Sequence, residues 1–216
     1  MALPARFTPP ATDCRLCPRL CAYREANRTA HDDWFNGAVP SFGALDARLL
    51  VVGLAPGVRG ANRTGRPFTG DYAGMLLYAT LLKFGFARGQ YNADPADGMM
   101  LVNCRVTNAV RCVPPGNLPT PAEISACNPF LTEELAAMPH LQAVLALGGV
   151  AHKAVLRARG LRASHTPFRH GTLHMLPDGL ILANSYHVSR LNTNTGRLTT
   201  AMFETVVADL KVRLQA

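Results

Sequence analysis

The chain has 216 residues, 48% hydrophobic and only 17% charged, which excludes a disordered chain and leaves enough apolar mass for a real core. Its net charge of +8 and pI near 9.6 favour a polyanionic partner, and the cations are nearly all arginine, with three lysines, Lys83, Lys153 and Lys211. No apolar run approaches membrane-spanning length, and the start, MALPARFTPPATDC, lacks the apolar core of a signal peptide, so a cytoplasmic protein with no membrane partner is expected.

Residues 1–46 show little periodicity but carry Cys14, Cys17, Cys21 and the single Trp34. Leu49 to Val52 reads as a buried strand, broken by GLAPG, Gly53 to Gly57. The two glycines allow backbone conformations and close ligand approach that a side chain would block. A loop with Arg59, Arg63 and Arg66 follows, then Phe68. Thr69-Gly70-Asp71 can cap a helix from Asp71 to Phe84. That loop is much longer than the roughly two to six residues of an ordinary strand-to-helix connection. Its place at the carboxyl end of a strand is where α/β proteins bind ligands.

Beyond a loop from Gly89 to Gly98, Met99 to Cys104 reads as a second strand running into Val106 to Cys112. A Pro-rich loop, Val113 to Pro119, leads to Thr120, an N-cap with Pro121 behind it and Glu123 completing a capping box. Cys127 lies on that helix. Leu141 to Leu147 is a third strand, followed by a helix from about Val150 to Arg159. A short strand, Gly171 to Leu176, and another, Leu180 to Asn184, precede Ser185-Tyr186-His187-Val188-Ser189. A loop from Arg190 to Thr195 then joins a last helix, about Arg197 to Leu214. This alternation predicts one α/β domain, residues 1–216, with a mainly parallel sheet flanked by helices.

Six cysteines in a cytosolic chain argue for metal or catalysis over disulfides. Cys14 and Cys17 form a CxxC pair beside Pro18; Cys112 and Cys127 can add two thiolates once the chain folds back. Residues 1–46 and 111–128 would then build a metal site. Four thiolates suit an iron–sulfur cluster or zinc, which spacing does not separate. Cys21 is an alternative ligand, and Cys104, within a strand, reads as a small buried hydrophobe.

Taken in order, GLAPG after a buried strand, GRPFTGDYAG, TNAVRC with its Pro-rich tail, and SYHVS after a late strand resemble the uracil-DNA glycosylase superfamily. The similarity is greatest to its iron–sulfur branch, and within that to the family-5, or type B, enzymes. It runs from Cys14 to the last helix. The resemblance implies a three-layer αβα sandwich around a four-stranded mainly parallel sheet, a [4Fe–4S] cluster ahead of zinc, and excision of uracil from DNA. It also implies activity on other deaminated bases such as hypoxanthine. By the same resemblance Cys14, Cys17, Cys112 and Cys127 are cluster ligands, leaving Cys21 and Cys104 outside. Phe68 takes the place of the aromatic that stacks on the base, and Asn108 that of the Asn that reads the uracil edge. His187 stands for the His of an HPS-type motif, with Val188 replacing its proline. Leu191 falls where a related motif has a duplex-wedging Leu, with Arg190 before it.

One departure concerns the chemistry. Many relatives carry an acid in the first motif, where this chain has Leu54 and Ala55. The nearest acid in the segment is Asp71, expected to stabilise the sugar cation or orient water; a helix N-cap is its competing role and does not exclude the first. Backbone N–H groups around Gly53 and Leu54 and a neutral His187 would donate to the departing base. Asn108, whose amide offers donor and acceptor, matches the N3–H and O4 edge of uracil, with Asn103 a nearby competitor. Arg59, Arg63, Arg66, Arg190 and Arg197 would hold phosphates of double-stranded DNA, with single strands a further substrate form. A base inside a duplex must be flipped out to react. A monomer is expected. The competing readings are an inactive damaged-DNA-binding protein with a structural metal, a nucleotide-binding enzyme (which lacks the P-loop lysine), and a zinc-stapled interaction module.

Overall fold

The computed structural model describes residues 7–215; the reading of the extreme N-terminus as free of a signal segment lies in part outside them. In chain order the elements are α1 (Pro18–Ala30), β1 (Leu49–Gly53), a single turn α2 (Ala61–Thr64), α3 (Tyr72–Lys83), β2 (Ala87–Arg88), β3 (Met100–Leu101) and β4 (Cys104–Asn108). They continue with α4 (Pro121–Ala136), β5 (Ala143–Leu147), α5 (Gly149–Ala158), β6 (Leu173–Met175), β7 (Ile181–Ser185), α6 (Arg190–Asn194) and α7 (Thr200–Gln215).

The sheet has five strands in the order β4-β1-β5-β7-β6. Four of them are parallel, and the short β6 adds an antiparallel edge through a hairpin that pairs Leu173 with Ala183. The central parallel strands β1 and β5 are buried on both faces, as their continuous apolar runs require. Alternation along β1 sends Leu49 and Val51 to one side, against Leu77 and Leu81 of α3 and Phe203 and Leu210 of α7. It sends Leu50 and Val52 to the other, against Leu131 of α4 and Val155 of α5. This is the expected αβα sandwich, with one more strand than the resemblance implies. Among the described residues no helix is long and apolar enough to cross a membrane.

Three local expectations change. The Met99–Cys104 run is not one strand: Met100 and Leu101 pair with Arg88 and Ala87, Asn103 turns the chain at φ 49°, and the sheet strand begins at Cys104. The Arg190–Thr195 loop contains α6, capped by the Ser189 hydroxyl, which accepts from Asn192 N. The first cysteine segment contains α1, whose buried residues are Leu20, Arg24 and Asn27; two of the three are polar, so its inward face carries no apolar period.

Candidate active site and cysteine recess

The carboxyl ends of β1, β4 and β7 meet where the chain crosses from one side of β1 to the other, the natural ligand crevice of such a sheet. Gly53 ends β1 and pairs in register with Asn108 at the end of β4. A Cβ on Gly53 would collide with both the Phe68 ring and the Asn108 amide oxygen, so glycine lets these two side chains close over the strand end. Asn108 Oδ1 is buried and has no hydrogen-bond partner. An unpaired buried oxygen costs free energy, roughly 1–3 kcal/mol, unless a ligand donates to it. The competitor Asn103 is exposed at its turn, outside this corner.

His187 follows β7 and faces Phe68, with ring centroids 6.1 Å apart. Its carbonyl accepts from Asn192 Nδ2 at 2.8 Å, which ties the SYHVS turn to α6. Burial pushes the imidazole down to about 4, so it is neutral at neutral pH and can donate only through a single ring N–H.

Asp71 is the N-cap of α3: Oδ1 accepts from Ala73 N at 3.1 Å. The other oxygen lies under the Gly53–Gly57 loop, where a Cβ on Gly57 would sit 2.9 Å from it and one on Gly60 would collide. The acid absent from that loop in sequence therefore stands against it in space. Desolvation raises the Asp71 carboxyl above its ordinary value, opposed by the helix N–H groups of Gly74 and Ala73. Capping and loop-facing roles belong to different oxygens of the same group.

The arginines divide. Arg59 and Arg63 are exposed, and Arg63 Nε donates to the Arg59 carbonyl at 3.1 Å. Arg190 is exposed and lies over the Tyr72 ring at 5.3 Å, bringing the start of α6 against the start of α3. Arg197 lies over Tyr186 at 4.7 Å. Leu191 is 72% exposed at the tip of α6. Arg66 does not join this surface. It is buried and makes a two-pronged pair with Asp97, 2.8 and 2.7 Å, while its Nε donates to Thr69 Oγ1. The expectation that Arg66 contacts DNA is corrected: the Gly89–Gly98 loop folds back and takes its charge.

A family model described as Uracil DNA glycosylase superfamily matches residues 40–211. A type-5 uracil-DNA glycosylase of Thermus thermophilus is 46% identical over 95% of this chain and 95% of its own. One of Mycobacterium leprae is 44% identical over 92% of this chain and 90% of its own. A type-4 uracil-DNA glycosylase of Pyrobaculum aerophilum is 32% identical over 70% of this chain and 63% of its own. The chain belongs to the uracil-DNA glycosylase superfamily.

In this superfamily member a second feature adjoins the Gly53–Asn108 corner. Cys14, Cys17, Cys21, Cys112 and Cys127 line one almost wholly apolar recess of about 330 Å3, open solvent included, together with Leu16, Leu20 and Phe130. All six cysteines are free thiols, and among the described residues no group of three or more His, Cys, Asp or Glu side chains is placed to hold a metal ion. Burial is the main cause that pushes Cys17 up to about 11 and Cys112 up to about 12, and neighbouring thiols add to it, so these groups are protonated without a metal. Cys21 is committed elsewhere, its Sγ donating to the Cys14 carbonyl at 3.3 Å. Cys104 is buried in β4, away from the recess.

Long-range polar pins hold the recess. Arg24 donates to the Cys14 carbonyl at 3.1 Å and reaches Cys112 Sγ at 3.7 Å, while its buried Nε has no hydrogen-bond partner and lies 3.9 Å from Glu25 Oε1. Arg19 makes a fork to Glu123, which also closes the Thr120 capping box. Glu134 of α4 takes both Arg105 and Arg111 in a buried triad, and Arg111 also donates to Ser41. Two arginines keep the Glu134 carboxyl below the usual range against its desolvation. Sequence reading passed over this triad, although Arg111 sits beside Cys112 inside a motif; nothing local marks Glu134, which lies on an ordinary polar helix stretch.

Proposed function

We propose that this protein excises uracil, and other deaminated bases such as hypoxanthine, from double-stranded DNA as a monofunctional glycosylase acting on a flipped-out nucleotide. The observation that carries this reading is the Asn108 amide oxygen, buried without a donor beside Gly53, Phe68 and His187. Uracil supplies the missing donor, its N3–H, and accepts at O4 from the other end of the same amide. Cytosine presents an acceptor at N3 and an amino group at C4, so it opposes both contacts. A pocket built to hydrogen-bond one edge rejects the inverted edge strongly. Phe68 stacks on the base. The names of the type-5 relatives support uracil as the substrate.

In the reaction the C1′–N1 bond breaks and its electron pair leaves on the base. The neutral His187 donates to a base oxygen, and N–H groups near Gly53 and Leu54 share that anion. Asp71 stabilises the cationic sugar and orients the water that bonds to C1′, whose proton passes to the carboxylate or to solvent. Arg59, Arg63 and Arg190 hold phosphates, with no carboxylate of the described residues pairing with them, and Leu191 fills the gap left in the duplex.

Cys14, Cys17, Cys112 and Cys127 fit a [4Fe–4S] cluster. These four thiols line one apolar recess, and a four-iron cluster would take one thiolate from each. The Arg24 guanidinium against Cys112 offsets the charge of thiolate ligands. Such a cluster would supply a structural staple, joining the N-terminal segment to the loop that follows Asn108 at the end of β4.

The test is incubation of purified protein with matched duplexes carrying one uracil or one hypoxanthine, followed by alkaline cleavage. Scission at the modified position is expected. Intact strands from a protein that binds the same duplexes would overturn the reading in favour of a binding protein.

A further inference from the structure

Phe68 adopts φ +53°, a left-handed backbone that a bulky aromatic rarely occupies. Such a residue persists only where its surroundings over-determine it. Here the surroundings come from a loop that no motif assigned. Tyr91 Oη donates to the Phe68 carbonyl at 3.0 Å, and Tyr78 Oη donates to the preceding Pro67 carbonyl at 2.5 Å. Arg66, two residues before Phe68, is locked onto Asp97, which also accepts from Asn92 N and Met99 N at 3.0 Å each and so closes its own loop. The Arg66 guanidinium lies over the rings of Phe42, Tyr78 and Tyr91 at 5.2, 5.8 and 5.9 Å. A Cβ on Gly74 would collide with both the Phe68 carbonyl and the Tyr91 hydroxyl, so α3 admits this pair only because glycine is there.

We propose that the Gly89–Gly98 loop is a latch that holds Phe68 in its strained conformation, with Tyr91 and Asp97 as positioning residues for base stacking. Tyr91 touches neither base nor sugar in this assignment; it acts through one carbonyl. Both ends of the strained segment are gripped by the same loop: Asp97 takes Arg66 before Phe68, and Tyr91 takes the Phe68 peptide itself. Release of the Tyr91 bond lets the backbone relax toward negative φ, which swings the ring off Gly53 and away from His187. The latch thus pre-forms the stacking platform before DNA arrives, sparing the ordering that a mobile platform would need at binding. The inference rests on the reading of Phe68 as that platform.

The experiment is a double-mutant cycle on uracil excision under single-turnover conditions, with thermal melting and duplex affinity measured alongside. Tyr91→Phe removes one hydroxyl; Phe68→Leu removes the stacking face. Tyr91→Phe is expected to slow excision about five- to tenfold, the worth of one hydrogen bond, with duplex affinity unchanged. On the Phe68→Leu background the same change should cost less than about twofold, because its target has gone. Asp97→Asn, which weakens the other grip, should show the same non-additivity and stands in if Tyr91→Phe proves unstable. Full-size losses from Tyr91→Phe and Asp97→Asn on the Phe68→Leu background would overturn the latch while leaving stacking intact. So would wild-type rates for both variants with Phe68→Leu impaired. A wild-type rate for Phe68→Leu alone would instead sink the stacking reading and the latch with it.

Discussion

The Gly53–Asn108 corner and the cysteine recess lie at opposite ends of one stretch, Asn108 to Cys112, yet different forces hold them. At the first end the sheet does the work. Gly53 and Asn108 are register partners, and Ala109 N and Val110 N continue the bonding to the Gly53 and Leu54 carbonyls at 2.9 and 3.0 Å. A backbone ladder needs no cofactor, so a polar recogniser can be fixed with one oxygen left unpaired. At the second end the described residues form no strand pairing, only single backbone bonds such as Val39 N to the Arg111 carbonyl at 2.8 Å. Thiols surround an apolar recess, and the segments that carry them are tied by side chains distant in sequence: Arg24 to Cys112, Arg19 to Glu123, and Arg111 to Glu134. Order there depends on charge pairing between distant segments.

That contrast can be broken from either end, and the largest effect is expected at the thiols. Cys17→Ser or Cys112→Ser should abolish bound iron and open the Cys14–Arg24 segment to limited proteolysis, while hydrogen exchange of β1 and β5 stays slow. Unchanged iron content would remove these residues as ligands. Next comes the triad that joins the two regions. Glu134→Gln leaves two buried guanidinium groups without their carboxylate, and should lower unfolding free energy by about 3–5 kcal/mol in denaturant titration.

Asn108→Ala separates function from stability. It should reduce kcat/KM on uracil duplexes by roughly 100-fold through loss of the edge-reading amide. Because it also deletes a buried oxygen with no donor, the melting temperature should hold or rise; a large drop would mean that Asn108 is structural. A smaller effect comes from pH. The His187 imidazole titrates at 6.5 when unfolded and near 4 when buried, so between those values the unfolded chain binds the extra proton. Its contribution is present in full above pH 6.5 and is lost as pH falls through about 4; His187→Gln should flatten stability over that window. The smallest effect is expected at the Thr120 capping box of α4, where Thr120→Ala should cost about 1 kcal/mol and loosen the helix that carries Cys127.

Some of this was legible along the chain because its causes are local. The apolar run at Leu49–Val52, the Thr120 box and the cap at Asp71 each depend on neighbours within a few residues, and the structure has all three. Asn103 and Arg66 show where local reading ends. Asn103 and Asn108 are equivalent as residue types in one segment, and only the turn at Asn103 puts one outside and the other at a strand end. Arg66 looks like its neighbours Arg59 and Arg63 until Asp97 returns to meet it. The α1 helix was hidden for a related reason: its inward face buries Arg24 and Asn27, whose partners lie on other segments or on its own backbone.

By itself the sequence determined which amide, imidazole and thiol side chains were present, and the alternation that makes a parallel sheet, since propensity, capping and periodicity act over short range. Only the tertiary structure decided which groups were left unsatisfied and facing inward. The Asn108 oxygen lacks a donor, Asp97 returns to take the Arg66 charge, and Phe68, at positive φ, gives its carbonyl to Tyr91. Each of these is a balance of hydrogen bonds across distant segments, and no single stretch of chain contains both sides of it.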